Sequence, residues 1–163
     1  MLKKYQTLND LFVDQIEKEG YIRFINRKSE EEEISFSEFG ANIKKRLGLF
    51  QDLGFKSNDE IVINTKSNIK FLECFWAAIL GGMIPVPVAV GVGEEHRKKL
   101  FKVLLQLKNP KLITDADVHS RLISLLQTKD KYFLLTDIVS QSIVDIEFQK
   151  SGEIKENDPE DVA

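Results

Sequence analysis

The chain has 163 residues, 42% of them hydrophobic, and a length that buries roughly 70% of the surface the unfolded form exposes, so one domain or part of a larger one is expected. Its 23 Lys and Arg and 26 Asp and Glu leave a formal net charge of −3. Both signs are interspersed along most of the length, which offers nucleic acid no basic face to bind.

The opening residues, Met1-Leu2-Lys3-Lys4-Tyr5-Gln6, lead into a polar amphipathic stretch without the apolar core of a signal peptide, so secretion is not expected. Thr7 can cap a helix whose face is Leu8, Leu11, Phe12 and Ile16, with Gly20 to end it. Two short extended runs, 21–26 and 33–36, flank a charged stretch and suggest a hairpin. Four adjacent carboxylates, Glu30 to Glu33, do not converge easily on one cation from a turn and read as a solvated loop.

Ser35 and Glu38 have capping-box spacing, and Phe39, Ile43, Leu47, Phe50 and Leu53 then recur at helical intervals until Gly54. Residues 60–65 alternate and are rich in β-branched side chains, and Ser67 or Asn68 can cap the helix that follows. That helix is apolar almost all round. Ile69, Leu72, Phe75, Trp76 and Ile79 make one face, and Phe71, Cys74 and Ala78 widen it, which predicts burial between other elements. Cys74, the single cysteine, excludes an internal disulfide and a multi-cysteine metal site. Among apolar neighbours it reads as a small buried hydrophobe in a reducing, cytoplasmic compartment. The stretch 71–93 is long enough to cross a bilayer, but Gly81-Gly82 with Pro85 and Pro87 splits it into two halves too short to span.

The alternation continues with a strand at 84–90, a helix at 96–107, a strand at 111–114, a helix at 118–126 and a strand at 132–136. A possible last strand at 143–148 precedes a polar tail from 150 to 161. Strand and helix in alternation predict an α/β fold: a mostly parallel sheet with helices on both faces, preceded by a helix and a small β-hairpin.

Three candidates for chemistry stand out. Gly91-Val92-Gly93 lies between a strand and a helix, where backbone N–H groups can cradle a phosphate. A third glycine and a phosphate-binding lysine are missing, however, and Glu94 and Glu95 hold the helix N-terminus an anion would need. His96 and His119 have no His or Cys neighbours at metal or triad spacing and read as surface helix residues, with Arg97, Lys98 and Lys99 a solvated face beside His96. Asp115 and Asp117 follow a strand, where ligands bind in such folds, and helix capping explains them equally well. No catalytic constellation emerges from the residues alone.

Three segments carry a resemblance: Thr7-Leu8-Asn9-Asp10-Leu11-Phe12, then Ile34-Ser35-Phe36-Ser37-Glu38-Phe39, then Leu53-Gly54-Phe55-Lys56-Ser57-Asn58-Asp59-Glu60-Ile61-Val62-Ile63. In this order they resemble the opening of adenylate-forming (AMP-binding) enzymes: acyl-CoA synthetases, fatty acyl-AMP ligases and adenylation domains of peptide synthetases. The run from Phe71 through Gly81-Gly82 to Pro85 and Pro87 is similar to the family's helix, glycine and proline segment, and Lys111-Leu112-Ile113-Thr114-Asp115 to its following strand. Val86-Pro87-Val88-Ala89-Val90-Gly91 and the residues from Glu94 to Phe101 look most like loading adenylation domains of hybrid polyketide and peptide synthases.

The resemblance covers nearly the whole chain and implies that residues 1–163 are an incomplete N-terminal subdomain. Asn157-Asp158-Pro159-Glu160-Asp161-Val162-Ala163 is similar to the lead-in to the family's phosphate-binding loop, which places the residues for ATP and Mg2+ beyond Ala163. No residue of this chain is therefore assigned a catalytic, cofactor-binding or metal role, and no cofactor is expected in it. The implied partners are the remainder of the adenylation domain and, for the parent enzyme, coenzyme A or a phosphopantetheinyl carrier protein. Exposed apolar surface would then favour self-association. A free-standing α/β binding or interaction module, without catalysis, is the alternative.

Overall fold

The computed structural model describes residues 5–25, 31–91, 93–127, 135, 138 and 147–156. In chain order the elements are α1 (Leu8–Ile16), β1 (Tyr21–Ile25), β2 (Glu31–Ser35), α2 (Phe36–Asp52), β3 (Glu60–Asn64), α3 (Asn68–Leu80), β4 (Ile84–Pro87), α4 (Glu94–Gln106), β5 (Pro110–Thr114) and α5 (Ala116–Leu126). β1 and β2 form the antiparallel hairpin, and β3 lies between β4 and β5, parallel to both.

Successive side chains of a strand point to opposite faces, and every side chain of β3 from Ile61 to Ile63 is buried, so both faces of this sheet need a cover. Ile61, Ile63 and Ile113 enter a core with Phe12 of α1, Ile43, Leu47 and Phe50 of α2, and Cys74, Ala77 and Leu80 of α3. Val62 and Leu112 enter a second core with Leu100, Phe101 and Leu104 of α4, Leu122 and Leu126 of α5, and Leu135. The expected α/β architecture with helices on both faces is what forms. α3 is less enclosed than its apolar circumference predicts, because Phe71, Leu72, Phe75 and Trp76 are only partly buried.

Element ends depart from the sequence reading for local reasons. α1 stops at Ile16, its last apolar contact, and Gly20 instead opens β1 with its backbone against the Phe36 ring. The acidic run is a strand rather than a loop. Glu31 and Glu33 both pair with Arg23 across the hairpin, at 3.2 and 2.5 Å, and this pulls the start of β2 back to Glu31. β4 ends at Pro87, close to where its partner β3 runs out. α4 and α5 each begin two residues early, at Glu94 and Ala116, so that Glu94, Glu95 and Asp117 occupy first turns where the helix dipole favours acids. At α2 the Ser35 hydroxyl accepts from the Glu38 N–H at 3.2 Å, while a complete capping box forms at α1 between Thr7 and Asp10. The strand expected at 132–136 lies outside the described residues apart from Leu135, and that at 143–148 apart from residues 147 and 148.

The polar tail is no loose end over its first residues. Gly152 donates to the Lys44 carbonyl and Lys155 to the Leu80 carbonyl, both at 2.8 Å, which docks the segment on α2 and α3.

Candidate functional site

β3 leads into α3 on the first-core face, and its neighbour β5 leads into α5 on the second-core face. The loops leaving the carboxyl ends of these adjacent strands therefore diverge, and such a switch point is where open α/β sheets hold ligands. Here it brings Thr65, Lys66 and Ser67 together with Asp115 and Asp117.

Asp115 stands at the N-cap position of α5, yet its side chain makes no cap hydrogen bond. Its carboxylate instead crosses to the other loop. Thr65 Oγ1 donates to Oδ1 and the Lys66 backbone N–H to Oδ2, each at 2.7 Å. Beneath it, Thr114 Oγ1 donates to the Asn64 carbonyl at 2.8 Å, and Asn64 Nδ2 reaches the Val88 carbonyl at 3.1 Å, so polar bonds tie the ends of all three strands. Lys66 Nζ forms an exposed ion pair with Asp117. That hydrogen bond, with the charges of Lys66 and Arg121, holds Asp117 below its ordinary 3.8. Capping therefore does not account for the Asp115 carboxylate.

This arrangement suits structure better than ligand chemistry. A carboxylate already occupies the crevice and uses the N–H that an incoming anion would need. The Thr65 hydroxyl is engaged by the Asp115 carboxylate as a structural cross-link, and no group of three potential metal ligands occurs among the described residues.

The other candidates are dispersed. The His96 ring packs on Gly91, where a Cβ would lie 2.0 Å from it, and Glu94 of the same helix turn pairs with Lys98 at 3.0 Å. Val92 lies outside the described residues. His119 is half-buried on α5 with its Nε2 enclosed and no hydrogen-bond partner among the described residues. Cys74 is fully buried, and that burial pushes its thiol up to about 12, which removes it as a nucleophile.

Sequence reasoning missed the Arg46–Glu73 ion pair, which joins α2 to α3 at 3.6 Å with both side chains nearly enclosed. The signal was present, since an acid inside an otherwise apolar helix needs a partner.

No family model matches the chain. Among solved structures, an adenylation domain of a keto acid-selecting NRPS module, bound to keto acyl adenylate, superposes over 98% of this chain with a TM-score of 0.76 at 21% identity. The chain has the fold of part of an adenylation domain. McyG A-PCP, complexed with phenylalanyl-adenylate, matches 100% of the chain with a TM-score of 0.72 at 22% identity, and the fatty acid AMP ligase of Legionella pneumophila matches 74% with a TM-score of 0.66 at 20% identity. The chain spans 30%, 30% and 22% of these three structures. Identities this low make the likeness one of fold, and it agrees with the resemblance read from the ordered motifs.

Proposed function

We propose that this chain is the N-terminal portion of an adenylation domain, ending before the phosphate-binding loop. The parent enzyme then joins a carboxylate to ATP to give acyl-AMP and pyrophosphate, and passes the acyl group to a thiol on coenzyme A or a carrier protein. The observation that carries this reading is the match over 98% of the chain to a structure more than three times longer, with an adenylate bound in it. The Asp115 carboxylate, which bonds across the crevice between the two loops, is in keeping with a structural part for this chain. McyG, which is similar in fold, was solved as an A-PCP unit, and this favours a carrier protein as the thiol partner.

On this reading the 163-residue chain alone is inert. Its partly buried aromatic face on α3, Phe71, Phe75 and Trp76, together with exposed Tyr21 and Ile25, drives self-association when the remainder is absent. A cytoplasmic location follows from the same assignment. Among the described residues no helix is long and apolar enough to cross a membrane.

The test begins with the coding sequence after Ala163. A Ser/Thr/Gly-rich run followed by lysine, with carboxylate-dependent pyrophosphate exchange in the longer protein and none in the 163-residue chain, supports the ligase. A stop codon or unrelated sequence rejects it in favour of a free-standing interaction module.

A further inference from the structure

Residues 147–156 belong to no helix or strand, yet their main chain is bound at successive points. The Gly152 N–H donates at 2.8 Å to the Lys44 carbonyl, in the middle of α2. The helical ladder assigns that carbonyl to the Gly48 N–H, so Gly152 takes its second lone pair. Only glycines allow this approach. A Cβ on Gly48 would lie 2.1 Å from the Lys150 carbonyl oxygen, and one on Gly152 would lie 2.5 Å from the Gly48 nitrogen.

Near the C-terminal end of α2, Gln51 meets the segment as a neighbouring strand would. Its Nε2 donates to the Glu153 carbonyl at 2.8 Å, and its Oε1 accepts the Glu153 N–H at 3.0 Å. Further along, the Lys155 N–H reaches the carbonyl of Leu80, one of the orphaned acceptors at the end of α3. The Lys155 carbonyl in turn accepts from Asn9 Nδ2 of α1 at 2.8 Å. These bonds use the backbone of the segment, to which Lys155 adds one side-chain bond, from Nζ to Ser57 Oγ at 3.1 Å, while Ser151 and Glu153 are exposed. Ile154 packs against the first core and is only partly buried.

We propose that α1, α2 and the end of α3 form a docking groove for an extended segment read through its main chain. Residues 147–156 occupy it as a latch that leaves and re-seats while both cores stay folded. Segments held by hydrogen bonds with little apolar burial open at lower free energy than the core, because water replaces the lost bonds. An open cavity of about 220 Å³ between Gly48, Gln51, Phe148 and Lys150 gives water access to these contacts. The inference rests on these contacts alone and stands whether or not the parent is a ligase.

Hydrogen exchange resolved by NMR on the full 163-residue chain tests it, with the Gly152, Glu153 and Lys155 amides compared against Val62 and Ile63 of β3. In the unaltered chain the three latch amides exchange together, roughly a hundredfold or more faster than the β3 pair. Gly48→Ala speeds the latch amides by a further tenfold or more, roughly, and leaves β3 unchanged, although alanine favours the helix itself. Gly152→Ala does the same from the other side of the crossing and decides the matter if the α2 variant fails to fold. Ser151→Ala and Glu153→Ala leave the rates alone. Exchange of the latch at the core rate in the unaltered chain overturns the proposal, as do latch rates within about twofold of the parent in both glycine variants.

Discussion

Replacing Asp115 tests whether the carboxyl ends of β3 and β5 are held together by a single side chain. Asp115→Ala removes two charge-assisted hydrogen bonds, from Thr65 Oγ1 and the Lys66 N–H. A hydrogen bond to a charged group is worth about 1.5–3 kcal/mol net, but Lys66 is exposed and water can replace its partner, so its bond adds little to the low-end value for Thr65 and the total is about 2 kcal/mol. In urea, with a slope of about 2 kcal/mol/M, the midpoint should fall by roughly 1 M. Asp115→Asn keeps one acceptor oxygen and should lose about half as much. The decisive variant is Asp115→Ser. Serine is a good N-cap, so it would restore stability if Asp115 served α5, whereas it is too short to bridge to the β3–α3 loop. A double-mutant cycle with Thr65→Val should return a coupling of about 0.5–1 kcal/mol. Rescue by serine, or costs of Asp115→Ala and Thr65→Val that simply add, would refute the reasoning.

Other consequences can be measured on the same chain. With its pKa near 12 rather than 9.0, the Cys74 thiol holds roughly a thousandfold less thiolate at pH 8, so a chromogenic disulfide should react only as fast as the protein opens, and at once in denaturant. Because the unfolded thiol ionises near 9.0 and the folded one near 12, stability falls as pH rises through that window, and Cys74→Ala should flatten the fall. Glu73→Ala leaves the Arg46 charge enclosed and should cost about 3 kcal/mol or more in urea melts, whereas Arg46→Met with Glu73→Leu should recover most of it. The depressed pKa of Asp117 contributes stability above its ordinary 3.8 that is lost as pH falls through the lower folded value. Acid melts of Asp117→Asn should lack that part of the transition.

The sequence made the faces of elements legible and left their polar cross-links hidden. The period-3.6 pattern predicted the buried side of α2, because burial constrains every residue on a face, whereas β3 is buried on both faces and α3 encloses Cys74, Ala77, Ala78 and Leu80 more fully than Leu72, Phe75 and Trp76. Polar partners far apart in sequence leave no such period. Gln51 and Glu153, or Thr65 and Asp115, are recognisable only once the chain has folded. Some signals were nevertheless available. Gly40 and Gly48 within α2 each cost about 1 kcal/mol in helix propensity and so require a close approach, which Ile16 supplies at Gly40 and residues 150–152 supply at Gly48. Asn9 is buried in an amphipathic helix and reaches the Lys155 carbonyl. At the switch point the sequence pointed to Asp115 and Asp117 but not to Thr65 or Lys66, and it could not say that Asp115 turns away from its own helix.

Carboxylates lock β3 at both of its ends. At the amino end, Glu60 accepts the Lys108 and Asn109 N–H groups at 2.7 and 2.9 Å, and Asp59 accepts from the Asn109 side chain, fixing the α4–β5 turn against the start of β3. At the carboxyl end, Asp115 fixes the start of α5 against the start of α3. A three-stranded parallel sheet has little area of its own, and its strands pair only through long crossovers that are costly to close. Cross-links at each end of the central strand hold the β3–β5 register. A sheet braced in this way keeps its strand order fixed at both ends of β3, independently of the two apolar cores on its faces.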